Sequence, residues 1–114
     1  MPRDPRKYLH DIQDSCTFLL EFTAGRTLPD YEADRGFRSA VQRELQIIGE
    51  ALAQLDRLAP QMASRINEYR RIIRFRNVLV HGYDILKPDL VWYVVENKLA
   101  VLKNEVEELL TGNT

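Results

Sequence analysis

The sequence predicts an all-α protein, an antiparallel four-helix bundle with a short extra helical turn between the second and third helices. Three observations predict it. Apolar residues recur every three or four positions in four separate stretches, no stretch alternates with period two between turn signals, and proline or glycine stands at the junctions (Pro5, Gly25, Pro29, Pro60, Gly82, Pro88). The 114 residues suffice for one domain, read here as 1–114, and a hydrophobic content of 45% is enough to close a core.

Each helix has its own signals. Asp4 is a good N-cap and Pro5 suits the first helical position, so a first helix runs to about Ala24, with Gly25 as its stop. Its buried face is Leu9, Ile12, Cys16, Leu19 and Thr23. Asp30 caps a second helix that reaches about Leu58, with the stripe Phe37, Val41, Leu45, Ile48, Leu52 and Leu55. The segment Gln61 to Ile66 is a connector with one helical turn. A third helix spans roughly Asn67 to His81, with Tyr69, Ile72, Ile73 and Val80 apolar and Gly82 ending it, where glycine's access to left-handed backbone allows a distorted end. The fourth runs from Pro88 to about Leu110 on the seam Val91, Val95, Leu99, Leu102, Val106 and Leu109, before the polar tail Thr111 to Thr114. A second apolar row on this helix, Leu90, Val94 and Val101 with Trp92 and Tyr93, fits either a partner surface or a wide intramolecular groove.

Composition excludes several function classes. The longest uncharged apolar stretches, Val78 to Val80 and Leu90 to Val95, fall far short of the roughly 20 residues of a membrane span. The N-terminal Met1 to Lys7 alternates in charge where a secretory signal would be apolar, and the lone Cys16 has no disulfide partner, so a cytoplasmic setting is expected. With one cysteine and two histidines, His10 and His81, no structural zinc site is expected. His10 reads as a surface residue of the first helix, and Cys16 as a small core residue.

The formal net charge of −1 hides an asymmetry. Between Pro60 and Lys87, six cationic side chains stand against Glu68 and Asp84, a local net of +4 that leaves −5 for the remainder. Arg65, Arg70, Arg71, Arg74 and Arg76 are either a phosphate-binding patch or a solvated helix face.

The chemistry-bearing residues are concentrated from Arg74 to Asp84. A guanidinium, a carboxamide, an imidazole, a phenol and a carboxylate stand within three turns. Asn77 and His81, four apart, share a helix face, whereas Arg76 and His81, five apart, diverge by about 140° on a regular helix. A tight site using both needs a distorted helix end or a second copy of the chain. Such a group suits phosphodiester cleavage. Arginine offers phosphate a fixed fork of donors, imidazole transfers protons near neutrality, and an RNA 2′-hydroxyl is its own nucleophile, so the reaction needs no metal. The plainer reading has His81 closing a helix and Tyr83 in the core.

The run Arg76-Asn77-Val78-Leu79-Val80-His81-Gly82-Tyr83 matches an R-x4-H-x-Y signature, and on it the chain resembles the HepT-like toxins of the HEPN superfamily. The likeness extends to Asp4-Pro5 with Tyr8, Leu9 and Ile12, to Arg43 through Ala51 with its Ile47-Ile48-Gly49-Glu50-Ala51 core, and to the apolar helix after Pro88. The resemblance implies a HEPN-like bundle and a metal-independent ribonuclease, the toxin of a type VII toxin–antitoxin pair, with Arg76 and His81 catalytic. It implies a homodimer whose facing motifs line one RNA cleft. A minimal nucleotidyltransferase antitoxin is the implied partner, attaching AMP to the Tyr83 hydroxyl. The chain itself needs no cofactor, and ATP is consumed by the antitoxin. Asn77 is expected to orient His81 or bind phosphate. Glu50 is expected as a buried counter-charge for an arginine on the third helix, with Gly49 allowing close approach. The alternative function is a catalytically silent binding subunit of a nucleotidyltransferase.

Overall fold

The computed structural model describes residues 4–112, with Tyr83 described in its backbone alone. Seven α-helices follow one another: α1 (Pro5–Phe22), α2 (Leu28–Ala33), α3 (Arg35–Leu58), α4 (Pro60–Ala63), α5 (Tyr69–His81), α6 (Pro88–Asn97) and α7 (Leu99–Leu110). A 3₁₀ turn, Tyr83–Ile85, lies between α5 and α6, and the described residues hold no strand. The bundle is all-α, with α1, α3, α5 and the α6–α7 pair as its four long members. Among the described residues, no helix is long and apolar enough to cross a membrane.

The first helix starts as its cap residue dictates. Asp4 Oδ1 accepts a hydrogen bond from the Arg6 amide at 2.9 Å, Pro5 opens the helix, and Gly25 sits at φ +75 just beyond its end. The second predicted helix is broken in two. Thr27 rather than Asp30 caps α2, in a capping box where the Thr27 amide donates to Asp30 Oδ2 at 2.9 Å and Asp30 returns its own amide to Thr27 Oγ1. Asp34 then leaves the helical region at φ −118, ψ 105 and caps α3, its Oδ1 accepting from the Phe37 amide at 3.0 Å. A short acidic side chain that can satisfy an orphan amide makes a new start as stable as continuation. The connector turn is α4, as expected.

The fourth predicted helix bends at Lys98, φ −114, between α6 and α7. The Asn97 side-chain amide donates to the Tyr93 carbonyl at 3.0 Å, drawing on an acceptor that the helix ladder uses, and such intrusion is an established cause of bends. The tail residues Asn113 and Thr114 lie outside the described residues.

In the core, α1 packs against α3 and α7, and α3 carries α5 on another face. Every residue of the three long predicted seams is buried: Leu9, Ile12, Cys16 and Leu19 on α1 with its C-cap Thr23, the stripe from Phe37 to Leu55 on α3, and the seam from Val91 to Leu109 on α6–α7. Trp92 joins them, 5.6 Å from the Tyr31 ring and 6.0 Å from the Phe37 ring between centroids, so it belongs to the core and not to an outer surface. Leu90, Tyr93 and Val101 remain about half exposed, at 47, 52 and 48%. The third predicted helix differs from the others. On α5 only Leu79 is buried, while Tyr69, Ile72, Ile73 and Val80 are half-buried, because α5 rests chiefly on α3 and its far side borders a groove.

Candidate active site

Helix α5 carries the motif, and its limits set the placement of the residues. Glu68, at the left-handed φ 58, ψ 31, turns the chain into α5; His81 is its last residue, and the Gly82 amide closes it by donating to the Val78 carbonyl at 2.9 Å. Gly82 itself is at φ −117, so the helix end is not the left-handed distortion expected of it. Space at Gly82 is tight and not closed, since Ile85 is exposed. A Cβ would lie 3.2 Å from Ile85 Cγ1 in the following 3₁₀ turn. Because α5 stays regular to its end, Arg76 and His81 keep their divergence of about 140° and stand roughly 7.5 Å apart along the axis.

Arg76 is half-buried against α3. A Cβ on Gly49 would overlap Arg76 Cβ, and would come within 3.0 Å of Arg76 Cγ and 3.3 Å of the Ile72 carbonyl oxygen. The close approach expected at Gly49 is therefore present, with Arg76 as the arginine that uses it. Its Nη1 donates to Asn77 Oδ1 at 3.1 Å, and its Nε is buried with no hydrogen-bond partner. A buried donor left unpaired costs about 1–3 kcal/mol, so the guanidinium is held by packing at some expense in polar satisfaction.

Glu50 is not the counter-charge expected. It is exposed and borders a shallow depression with Tyr8 and Asp11 of α1 and Gln54. Successive helix residues point about 100° apart, and with Gly49 facing α5, Glu50 is turned toward the α1 side. No acidic side chain pairs with Arg76 among the described residues.

His81 and Asn77 are exposed. No hydrogen bond to the His81 side chain occurs among the described residues, which leaves both ring nitrogens open to a ligand. Tyr83 opens the 3₁₀ turn two residues on, and its side chain lies outside the described residues.

Two of the exposed arginines in and just before α5 have local partners. Arg65, Arg70, Arg71 and Arg74 are all exposed, but Arg71 pairs with Glu68 at 2.8 Å and Arg70 lies over the Tyr69 ring, 5.4 Å from its centroid. Arg74 borders a groove of about 540 Å³ between α5 and the α6–α7 pair, with Phe75, Leu90, Tyr93 and Val101 on its walls and Leu45 and Ile48 of α3 also lining it. Its apolar wall includes Leu90, Val94 and Val101, the second row noted on the fourth predicted helix, for which a wide intramolecular groove was one of the two readings. Among the described residues, no three His, Cys, Asp or Glu side chains gather as metal ligands would.

A regular motif helix seated on α3 by a glycine notch, ending in an exposed histidine, is the arrangement on which comparison with known proteins bears. The sequence model of the HepT-like ribonucleases matches residues 12–109. The chain belongs to the HepT-like ribonuclease family. It is 31% identical to a candidate ribonuclease HepT of Thermococcus cleftensis over 96% of this chain and 98% of that one. It is 30% identical to a candidate RNase of Caldanaerobacter subterraneus subsp. tengcongensis over 95 and 96% of the two chains, and 31% identical to one of Methanocaldococcus jannaschii over 96 and 91%. No solved structure matches the chain. As a member of this HEPN-type family the protein is a ribonuclease, and RNA is its substrate class.

Proposed function

We propose that this HepT-like protein is a metal-independent endoribonuclease acting as a toxin, with Arg76 and His81 as catalytic residues of a cleft shared between two copies. The observation that carries the reading is the divergence of a seated Arg76 and an open, unpartnered His81 on one undistorted helix, which a second copy facing it across a two-fold axis would offset. The apolar groove beside α5, with the half-exposed Leu90, Tyr93 and Val101, supports a second copy as its occupant.

In this mechanism the RNA 2′-oxygen attacks the adjacent phosphorus while an imidazole removes its proton. The bond from phosphorus to the 5′-oxygen breaks, and that oxygen takes a proton as it leaves. A 2′,3′-cyclic phosphate and a 5′-hydroxyl result. His81 moves the protons, and Arg76 holds the phosphate and offsets its developing charge. Asn77 keeps the guanidinium in place through the hydrogen bond it accepts, a role that replaces orientation of His81.

Regulation follows the same surface. A nucleotidyltransferase antitoxin transfers AMP from ATP to the Tyr83 hydroxyl, releasing pyrophosphate. The new phosphodiester brings negative charge to a phosphate-binding cleft, and the adenosine fills the substrate's space.

Purified protein and RNA in EDTA test the reading. His81→Ala and Arg76→Ala should each lower cleavage by about 100-fold or more with helical content unchanged. Full activity in His81→Ala, or cleavage that requires added magnesium, would overturn it. A wild-type chain that cleaves no RNA yet accepts AMP at Tyr83, and not in Tyr83→Phe, would identify the silent binding subunit instead.

A further inference from the structure

Three features of Arg76 converge on a residue of another helix. The root of its side chain crosses α3 at Gly49, where an added Cβ would overlap Arg76 Cβ and crowd the Ile72 carbonyl. What that Cβ would meet is a side-chain root and backbone, neither of which can swing aside as a flexible tip does. Further along the side chain, Nε is out of reach of solvent and unpaired. Its head is tied, Nη1 to Asn77 Oδ1 at 3.1 Å, which leaves Nη2 as the donor neither buried nor paired. Gly49 lies within the regular helix α3, so its backbone makes no demand for glycine, and the demand is for space.

We propose that Gly49 is the positioning residue for Arg76: the missing Cβ forms the notch that fixes the guanidinium's depth and direction, and so determines which donors meet the RNA phosphate. The inference rests on Arg76 as the phosphate-binding group. A side chain at position 49 would lift Arg76 from α3, admit water to Nε and turn Nη2 away from the phosphate, leaving the charge count of the site unchanged.

The test combines arginine side-chain NMR with cleavage kinetics on the full chain. In the wild type, the Arg76 Nε–H, assigned by its loss in Arg76→Lys, should exchange with water at least about ten-fold more slowly than those of the exposed Arg70 and Arg74. In Gly49→Ala that protection should disappear and kcat/KM should fall about ten-fold or more, since small misplacements of a positioned group cost rate steeply. Adding Gly49→Ala to Arg76→Lys should cost no more than Arg76→Lys alone, whereas a general loosening of the fold would add its own loss. A folded Gly49→Ala with wild-type cleavage and a protected Nε–H would overturn the proposal. So would wild-type Nε–H exchange as fast as that of Arg70, a measurement that decides even where Gly49→Ala does not fold. Should the wild type cleave no RNA, the catalytic reading fails while the exchange measurements still judge the notch.

Discussion

At Cys16 burial dominates reactivity: the thiol of this α1 residue lies in the core and its pKa is pushed up to about 12, chiefly by desolvation. Iodoacetamide at pH 8 should therefore leave the folded protein unmodified over hours and label it at once in denaturant, as intact mass would report; equal rates in the two conditions would contradict the burial. Trp92 sets a second expectation. It closes the ring cluster with Tyr31 and Phe37, and Trp92→Ala should cost about 3–5 kcal/mol in urea unfolding, far more than Tyr93→Ala on the exposed row. Both residues stood together in the sequence as one aromatic pair, yet at about 100° per residue Trp92 flanks the Val91–Val95 seam of α6 while Tyr93 lies opposite it. The divergence of Arg76 from His81 was legible from their spacing, five residues on a regular helix. Glu50 was misjudged for a geometric reason: the residue beside a close-approach glycine is turned about 100° from it, and only the orientation of α5 tells which of the pair meets the arginine.

Between residues and fold, the entrance to α5 depends on ionisation. Glu68 holds a left-handed backbone while pairing with Arg71 at 2.8 Å and with Lys98 at 3.1 Å across the groove, and the Asn67 amide donates to Glu105 of α7 at 3.0 Å. The Lys98 hydrogen bond and charge, then Arg71, hold the Glu68 carboxyl below its usual 4.5. A carboxylate depressed in the folded state stabilises above its unfolded pKa and loses that contribution as the pH falls through the folded value. The urea midpoint of the wild type should thus exceed that of Glu68→Gln at pH 7 and converge with it at pH 3, and salt should shrink the difference at pH 7 because the pair is solvent-exposed. A gap that persists at pH 3 would assign the effect to packing. Such a strap is invisible in sequence, where Glu68 and Lys98 are thirty residues apart and neither stands at a helical spacing from the other. Helix existence was legible from the apolar stripes, but the breaks at Asp34, ahead of the stripe that begins at Phe37, and at Lys98, inside the Val91–Leu109 seam, were not, since at both a side chain competes with the backbone ladder.

For the whole molecule, the proposed two-fold arrangement makes a combinatorial prediction. Arg76→Ala and His81→Ala, each inactive alone, should regain cleavage when co-refolded, up to about a quarter of the wild-type rate if half the dimers are mixed and each retains one complete Arg76–His81 combination. No recovery in verified mixed dimers would place both groups of a site in one chain. The bundle itself was legible because α1, α3 and α7 bury complete seams; the groove was only one of two readings, because it depends on how far α5 stands from α6 and α7. That seating has a consequence for motion. With α5 resting chiefly on α3 and burying Leu79 alone, the motif helix can open without dismantling the α1–α3–α7 core. In the isolated monomer, backbone amide hydrogens of residues 70–81 should exchange with deuterium orders of magnitude faster than those of α1 and α3. The activity would then reside on the least cooperative segment of the chain, and whatever covers the groove would slow that exchange before any change in the core could be detected.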